Sequence, residues 1–167
     1  IMLTGEWIID NGRVVDSDVF SYTMAGTPWI NVKWLFEVFA YGISKIGGPE
    51  SVFLLQTTAN VLVVWLLARF AGVTRQDFGL TRSRLPSGGT ILAILLALFA
   101  WEYRIIGRPE MMSHLMTVLF LLIYQRHRQQ PSKAIYWLIP LQILWTNLHE
   151  AYGIGIVFWI IVLSGIV

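Results

Sequence analysis

Apolar residues in this chain gather into long, nearly uninterrupted runs. Five stretches carry no Asp, Glu, Lys or Arg: 51–68, 85–101, 111–125, 134–148 and 151–167. A helix that crosses a bilayer needs about 20 predominantly apolar residues, so the pattern predicts about five membrane spans, two of them short. Pro140 falls inside the fourth and is expected to kink it.

The first 50 residues follow another pattern. Residues 3–10 read as a short helix stopped by Asn11-Gly12, and 14–22 as extended or irregular chain. Pro28 then opens an aromatic-rich helix over 29–46, closed by Gly47-Gly48-Pro49. Lys33 and Glu37 stand four apart on a polar stripe of that helix, while Trp29, Trp34, Phe36 and Phe39 cover much of the rest. Its charges argue against a full crossing and for a helix lying in the membrane interface.

The fold expected is therefore an all-α integral membrane protein. Residues 1–49 form an extracytoplasmic first loop with amphipathic interfacial helices, and 50–167 a polytopic helix bundle. Composition agrees: 56% of the 167 residues are hydrophobic, 13% are charged, and the mean hydropathy is +0.63. A soluble domain carries about 25% charged residues. Eight Trp, nine Phe and six Tyr suit the aromatic belts of a membrane protein. A net charge of +2 without a basic stripe gives no footprint for nucleic acid. The absence of cysteine excludes disulfides, thiolate metal ligands and a cysteine nucleophile. The chain opens at Ile1 and ends at Val167, both inside apolar patterns, and so reads as an internal piece of a longer protein.

Charge placement orients the bundle. The 69–86 connection holds four arginines against Asp77, and the 126–133 connection holds Arg126, Arg128 and Lys133 with no acid. Cytoplasmic loops carry the excess of Lys and Arg, which puts these two inside. Residues 1–50, 102–110 and 147–150 then lie outside.

That assignment collects the scarce polar groups on one side: Asp16, Asp18, Lys33, Glu37, Arg104, Arg108, Glu110, His114, Asn147, His149 and Glu150. Ionisable groups in or beside spans are costly and mark functional sites. Arginine can clamp phosphate, a carboxylate can serve as a base, and His with Asp suits a divalent metal, although no complete ligand set is legible. Each also has a structural reading: turn residues for Asp16 and Asp18, a surface pair for Lys33 and Glu37, snorkelling anchors for Arg104 and Arg108, a hydrogen-bonded histidine for His114, a polar turn for His149-Glu150. No phosphate-cradling glycine loop, zinc-binding His-Glu-x-x-His helix or G-x-S-x-G elbow occurs.

Five segments stand in order: TGEWIIDNG, DVFSYT, PWINVKWLFE, then GRPEMMSHL and LWTNLHEAYGIG, the last two similar to R-P-x-x-x-S and W-x-N-L-H-G-G-x-x-x-G. Together they resemble the C-type membrane glycosyltransferase (GT-C) superfamily of bacterial and archaeal polytopic proteins. The resemblance implies transfer of a sugar from a polyprenyl-phosphate carrier to an acceptor on the extracytoplasmic face of the plasma membrane. It makes Asp18 and Glu37 the candidate catalytic carboxylates. Arg108, Asn147 and His149, with Arg104 and His114 beside them, become candidates for substrate and phosphate binding. Three departures stand out. Val32-Lys33 replaces a frequent His-Glu, Glu150-Ala151 replaces Gly-Gly, and the superfamily's early acidic residue would precede Ile1. The rival readings are a transporter or lipid-carrier flippase, and a non-catalytic membrane scaffold.

Overall fold

The computed structural model describes residues 1–77, 88–101 and 108–165. Among them are seven α-helices: α1 (Met2–Asn11), α2 (Trp34–Gly47), α3 (Ser51–Asp77), α4 (Gly88–Trp101), α5 (Glu110–Gln129), α6 (Leu138–Leu148) and α7 (Gly153–Leu163). Short 3-10 helices, Lys133–Trp137 and Glu150–Tyr152, lead into α6 and α7. The protein is all-α, and the β-type pairing among the described residues is one isolated bridge, Ser17 to Pro28.

Helix α1 ends where the sequence says it should. Gly12 takes the left-handed conformation (φ 65°), open to glycine without a Cβ penalty, and its N–H closes on the Ile8 carbonyl. Helix α2 starts at Trp34, five residues later than expected. Pro28 opens no helix. It pairs with Ser17, and the next N–H, that of Trp29, goes to the Asp16 carbonyl at 2.8 Å. Nor do Lys33 and Glu37 share a solvent-facing stripe, because Glu37 is buried to 1% exposure.

Helix α5 is the central element. It packs against α3, α6 and α7 and against both 3-10 helices. Near its start, Met111, Met112, Met116 and Phe120 share a core with Phe36 and Ala40 of α2, Val52 and Ala59 of α3, and Leu138, Trp145 and Leu148 of α6. Further along, Val118 and Leu122 meet Val63 and Leu66 of α3. Residue numbers rise together in both helices, so α3 and α5 run parallel. The 108–113 and 48–52 ends lie at one end of the bundle, the 69 and 126 ends at the other. The core also crosses the 49/50 boundary expected between loop and bundle.

Five spans are not what the described helices provide. One helix is long and apolar enough to cross a membrane by length and composition, the 21-residue segment Ser51–Ala71. Helix α4 has 14 residues and α6 and α7 have 11 each. At 1.5 Å per residue these reach roughly 17–21 Å, short of a hydrocarbon core of about 30 Å. The 134–148 run divides into a 3-10 helix and α6, and Pro140 sits in the first turn of α6, where its missing N–H breaks no helical bond and kinks nothing. The outward faces are nonetheless apolar. Leu54 and Val61 on α3, Leu92 and Leu96 on α4, Ile143 on α6, and Val157 and Ile160 on α7 are all exposed.

Candidate functional site

The site grows from the start of α5. Ser113 is buried one turn into that helix, facing α6 and the turn after it. Trp145 on α6 is fully buried, held edge-to-face against Phe120 with ring centres 5.4 Å apart. Its indole N–H donates to Ser113 Oγ at 2.8 Å. Ser113 Oγ in turn lies 2.7 Å from His149 Nδ1. The Ala151 backbone N–H also donates to that nitrogen, at 3.3 Å.

These donors assign the protons. An N–H pointing at Nδ1 makes it the acceptor, so Ser113 spends its hydroxyl hydrogen there and the imidazole carries its own proton on Nε2. Burial pushes the His149 pKa below its ordinary 6.5, Glu150 and then Glu110 pull it back up, and Lys33 adds to the lowering. The ring is therefore neutral at pH 7, with its orientation fixed from behind and Nε2–H left for a ligand.

His149 lines a cavity of about 320 Å³ together with Glu110, Ser113, His114, Thr117, Glu150, Ala151 and Ile154. Thr117 and Ile154 also line a second, wholly apolar cavity of about 200 Å³ that runs between α5 and α7 past Phe120, Trp145 and Phe158. The two share the wall formed by Thr117 and Ile154, so a polar chamber and a hydrocarbon-lined one lie side by side.

The seven residues singled out from the sequence do not form one cluster. His114 and His149 meet in the polar chamber. Asn147 lies beside it but is engaged structurally: its Oδ1 accepts from the Trp34 indole N–H at 2.8 Å, and its Nδ2 donates to the Ile143 carbonyl. Arg108 is exposed, two residues before Glu110 at the start of α5. Arg104 lies outside the described residues. Asp18 serves its own loop. Its Oδ1 accepts from the Phe20 and Ser21 N–H groups at 2.9 Å each and its Oδ2 from the Ser21 hydroxyl at 2.6 Å. These bonds, the Ser21 hydroxyl foremost, lower its pKa below 3.8. It borders a separate surface cavity of about 450 Å³ with Phe20, Met24 and Trp29. Glu37 accepts from Asn31 Nδ2 at 2.6 Å beneath α1.

A divalent metal does not fit what is here. Among the described residues no three His, Asp or Glu side chains converge on a common point, and His149 Nδ1 is occupied by Ser113 and Ala151. Sequence reading missed Ser113, Trp145 and Thr117, which build the site around His149. No family model, curated protein or solved structure matches this chain.

Proposed function

We propose that the protein is a membrane-embedded sugar transferase that uses a polyprenyl-phosphate donor, with its reaction chamber at the α5–α7 end of the bundle. The observation that carries this reading is the shared wall at Thr117 and Ile154. A polar chamber set directly beside an apolar one fits an amphiphile with a charged head and a hydrocarbon tail. The apolar outward faces of α3, α4, α6 and α7 support residence in lipid, since water-facing surfaces rarely carry contiguous apolar patches beyond a few hundred Å².

In this reading the acceptor hydroxyl enters from solvent beside Glu150, the exposed carboxylate of the chamber, which takes its proton. The acceptor oxygen bonds to the anomeric carbon as the bond from that carbon to the phosphate oxygen breaks. Polyprenyl phosphate leaves with the electron pair. His149 Nε2–H, fixed by Ser113 and Ala151, donates to the charge developing on that oxygen. Lys33, close enough to lower the His149 pKa, adds positive potential. Asp18 and Glu37 take no part in the chemistry, because their carboxylates are spent on the loop and on Asn31.

The test is sugar transfer from a radiolabelled polyprenyl-phosphate donor, using the intact protein in its membrane. Glu150→Gln should lower turnover by roughly 10²–10⁴-fold, and His149→Ala by roughly 10²–10³-fold. Asp18→Asn should leave turnover within about twofold of the parent, as expected for a group outside the chemistry. Undiminished transfer in both site variants would contradict the assigned roles.

A further inference from the structure

At the opposite end of α5 lies the largest of the cavities described, about 940 Å³, between the second half of α3, the last turns of α5 and the 130–134 turn. Its walls divide by chemistry. Trp65, Leu66, Leu122 and Ile123 supply an apolar flank, Gln129, Gln130 and Ser132 an uncharged polar rim, and Arg69 and Arg126 two guanidinium groups, with no carboxylate among the described residues that line it. Arg69 stacks over the Trp65 ring at 4.8 Å, which holds its guanidinium at the cavity edge. The rim is fixed as well: the Ser132 N–H donates to His127 Nδ1 at 3.1 Å and folds the turn back over the end of α5. Among the described residues neither arginine has a carboxylate within ion-pair distance. Two arginines without a carboxylate partner among the described residues, beside a cleft with one apolar flank, are complementary to an anion carrying hydrocarbon.

We infer that this cleft is a binding site for an anionic phospholipid, with Arg69 and Arg126 clasping the phosphate and the acyl chains lying along Leu122 and Ile123 between α3 and α5. Arginine's planar fork suits phosphate oxygens, and basic pockets between helices at a membrane surface recognise anionic head groups in this way. The site is separate from the His149 chamber. Ser113 and Arg126 are 13 positions apart on one helix, roughly 20 Å at 1.5 Å per residue. The inference depends on residence in lipid and not on sugar transfer, so a protein inactive as a transferase would still pass or fail the test below.

The intact protein, purified in a neutral detergent, is titrated with phosphatidylglycerol, phosphatidylcholine or inorganic phosphate. Bound lipid is read by native mass spectrometry and stability by the thermal midpoint. Phosphatidylglycerol should bind in preference to phosphatidylcholine and raise the midpoint, while inorganic phosphate should not. Replacing both Arg69 and Arg126 with Gln should weaken phosphatidylglycerol binding by about thirtyfold and leave phosphatidylcholine binding unchanged. Arg128→Gln, on the same helix but outside the cavity lining, should keep the preference. Equal binding of the two lipids, a preference that survives the double substitution, an equal loss in Arg128→Gln, or equal stabilisation by free phosphate would overturn the assignment.

Discussion

His149 shows how three unremarkable side chains make one directed group. Alone, an imidazole rotates and exchanges tautomers. Here Trp145 donates to Ser113, Ser113 to Nδ1, and the Ala151 N–H to the same nitrogen, so every proton has one place to be. Ser113→Ala would strand both the Trp145 N–H and much of the Nδ1 acceptor capacity in a buried setting, and should cost about 1–3 kcal/mol. Trp145→Phe keeps an aromatic ring edge-to-face against Phe120 and removes one donor. Chemical denaturation should place its loss nearer 1 kcal/mol. The lowered His149 pKa has a defined sign. Below 6.5 the unfolded chain takes up the proton before the folded one does, so stability should fall as pH drops from 6.5 toward the folded value and be unaffected above it. Thermal midpoints measured across pH 4–8 should show that slope in the parent and lose it in His149→Asn. Asp18 carries the opposite sign: its contribution is present above pH 3.8 and vanishes on acidification through its lower folded value.

Much of this was visible in residue types, but not which of them would meet. Asn147 and His149 stood out because they are polar residues beside an apolar run. Ser113 and Trp145 did not, since a serine and a tryptophan inside apolar helices look like ordinary packing. Both nevertheless fall in the two segments whose pattern resembles R-P-x-x-x-S and W-x-N-L-H. The structure joins those segments through Ser113, Trp145 and His149. Asp18 and Glu37 stand out in the sequence as carboxylates of the first outer loop that fall on the D-x-F-S-Y-T and W-L-x-E segments of the resemblance. Nothing in sequence order says that one will fold onto Ser21 and the other onto Asn31.

At the scale of elements, α1 and α2 form a close pair on top of the bundle. Gly5 allows it, because a Cβ there would run into the Glu37 carbonyl and come within 2.8 Å of Tyr41 Cβ. The pair is tied laterally as well: the Tyr41 hydroxyl donates to Glu6 Oε1 at 2.7 Å, and Lys45 lies 3.7 Å from the same oxygen. Gly5→Ala should push α1 away from α2 and destabilise the protein by about 1–3 kcal/mol, the usual cost of overpacking. It should also raise amide exchange in residues 2–11 before any change reaches α5. Helix boundaries were legible where a local signal dominates, as at Asn11-Gly12. They failed where tertiary pairing decides, as at Pro28, which pairs with Ser17 while Trp29 bonds to Asp16, instead of starting a helix. The apolar runs were equally plain, but their division was not. Hydropathy does not reveal that 134–148 would spend its first turn as a 3-10 helix and place Pro140 in the first turn of α6.

For the whole molecule, charge counting and packing converge on one arrangement of ends. Arg69 and Arg126, assigned to the same side by loop charge, line one cavity. Trp34 and Asn147, both assigned to the other side, are joined by a hydrogen bond, and His149 of that side bonds to Ser113 at the start of α5. Parallel packing of α3 and α5 places the two groups at opposite ends of the bundle. The central claim is that these ends face opposite sides of a bilayer, with the polar chamber opening away from the cytoplasm. The chain has no cysteine, so single cysteines report without background. Tyr22→Cys, Glu150→Cys and Gln130→Cys use exposed positions at the two ends. With a membrane-impermeant thiol reagent on intact cells, positions 22 and 150 should label directly and position 130 only after permeabilisation. Labelling of 22 and 150 from opposite sides, or of all three without permeabilisation, would contradict the account.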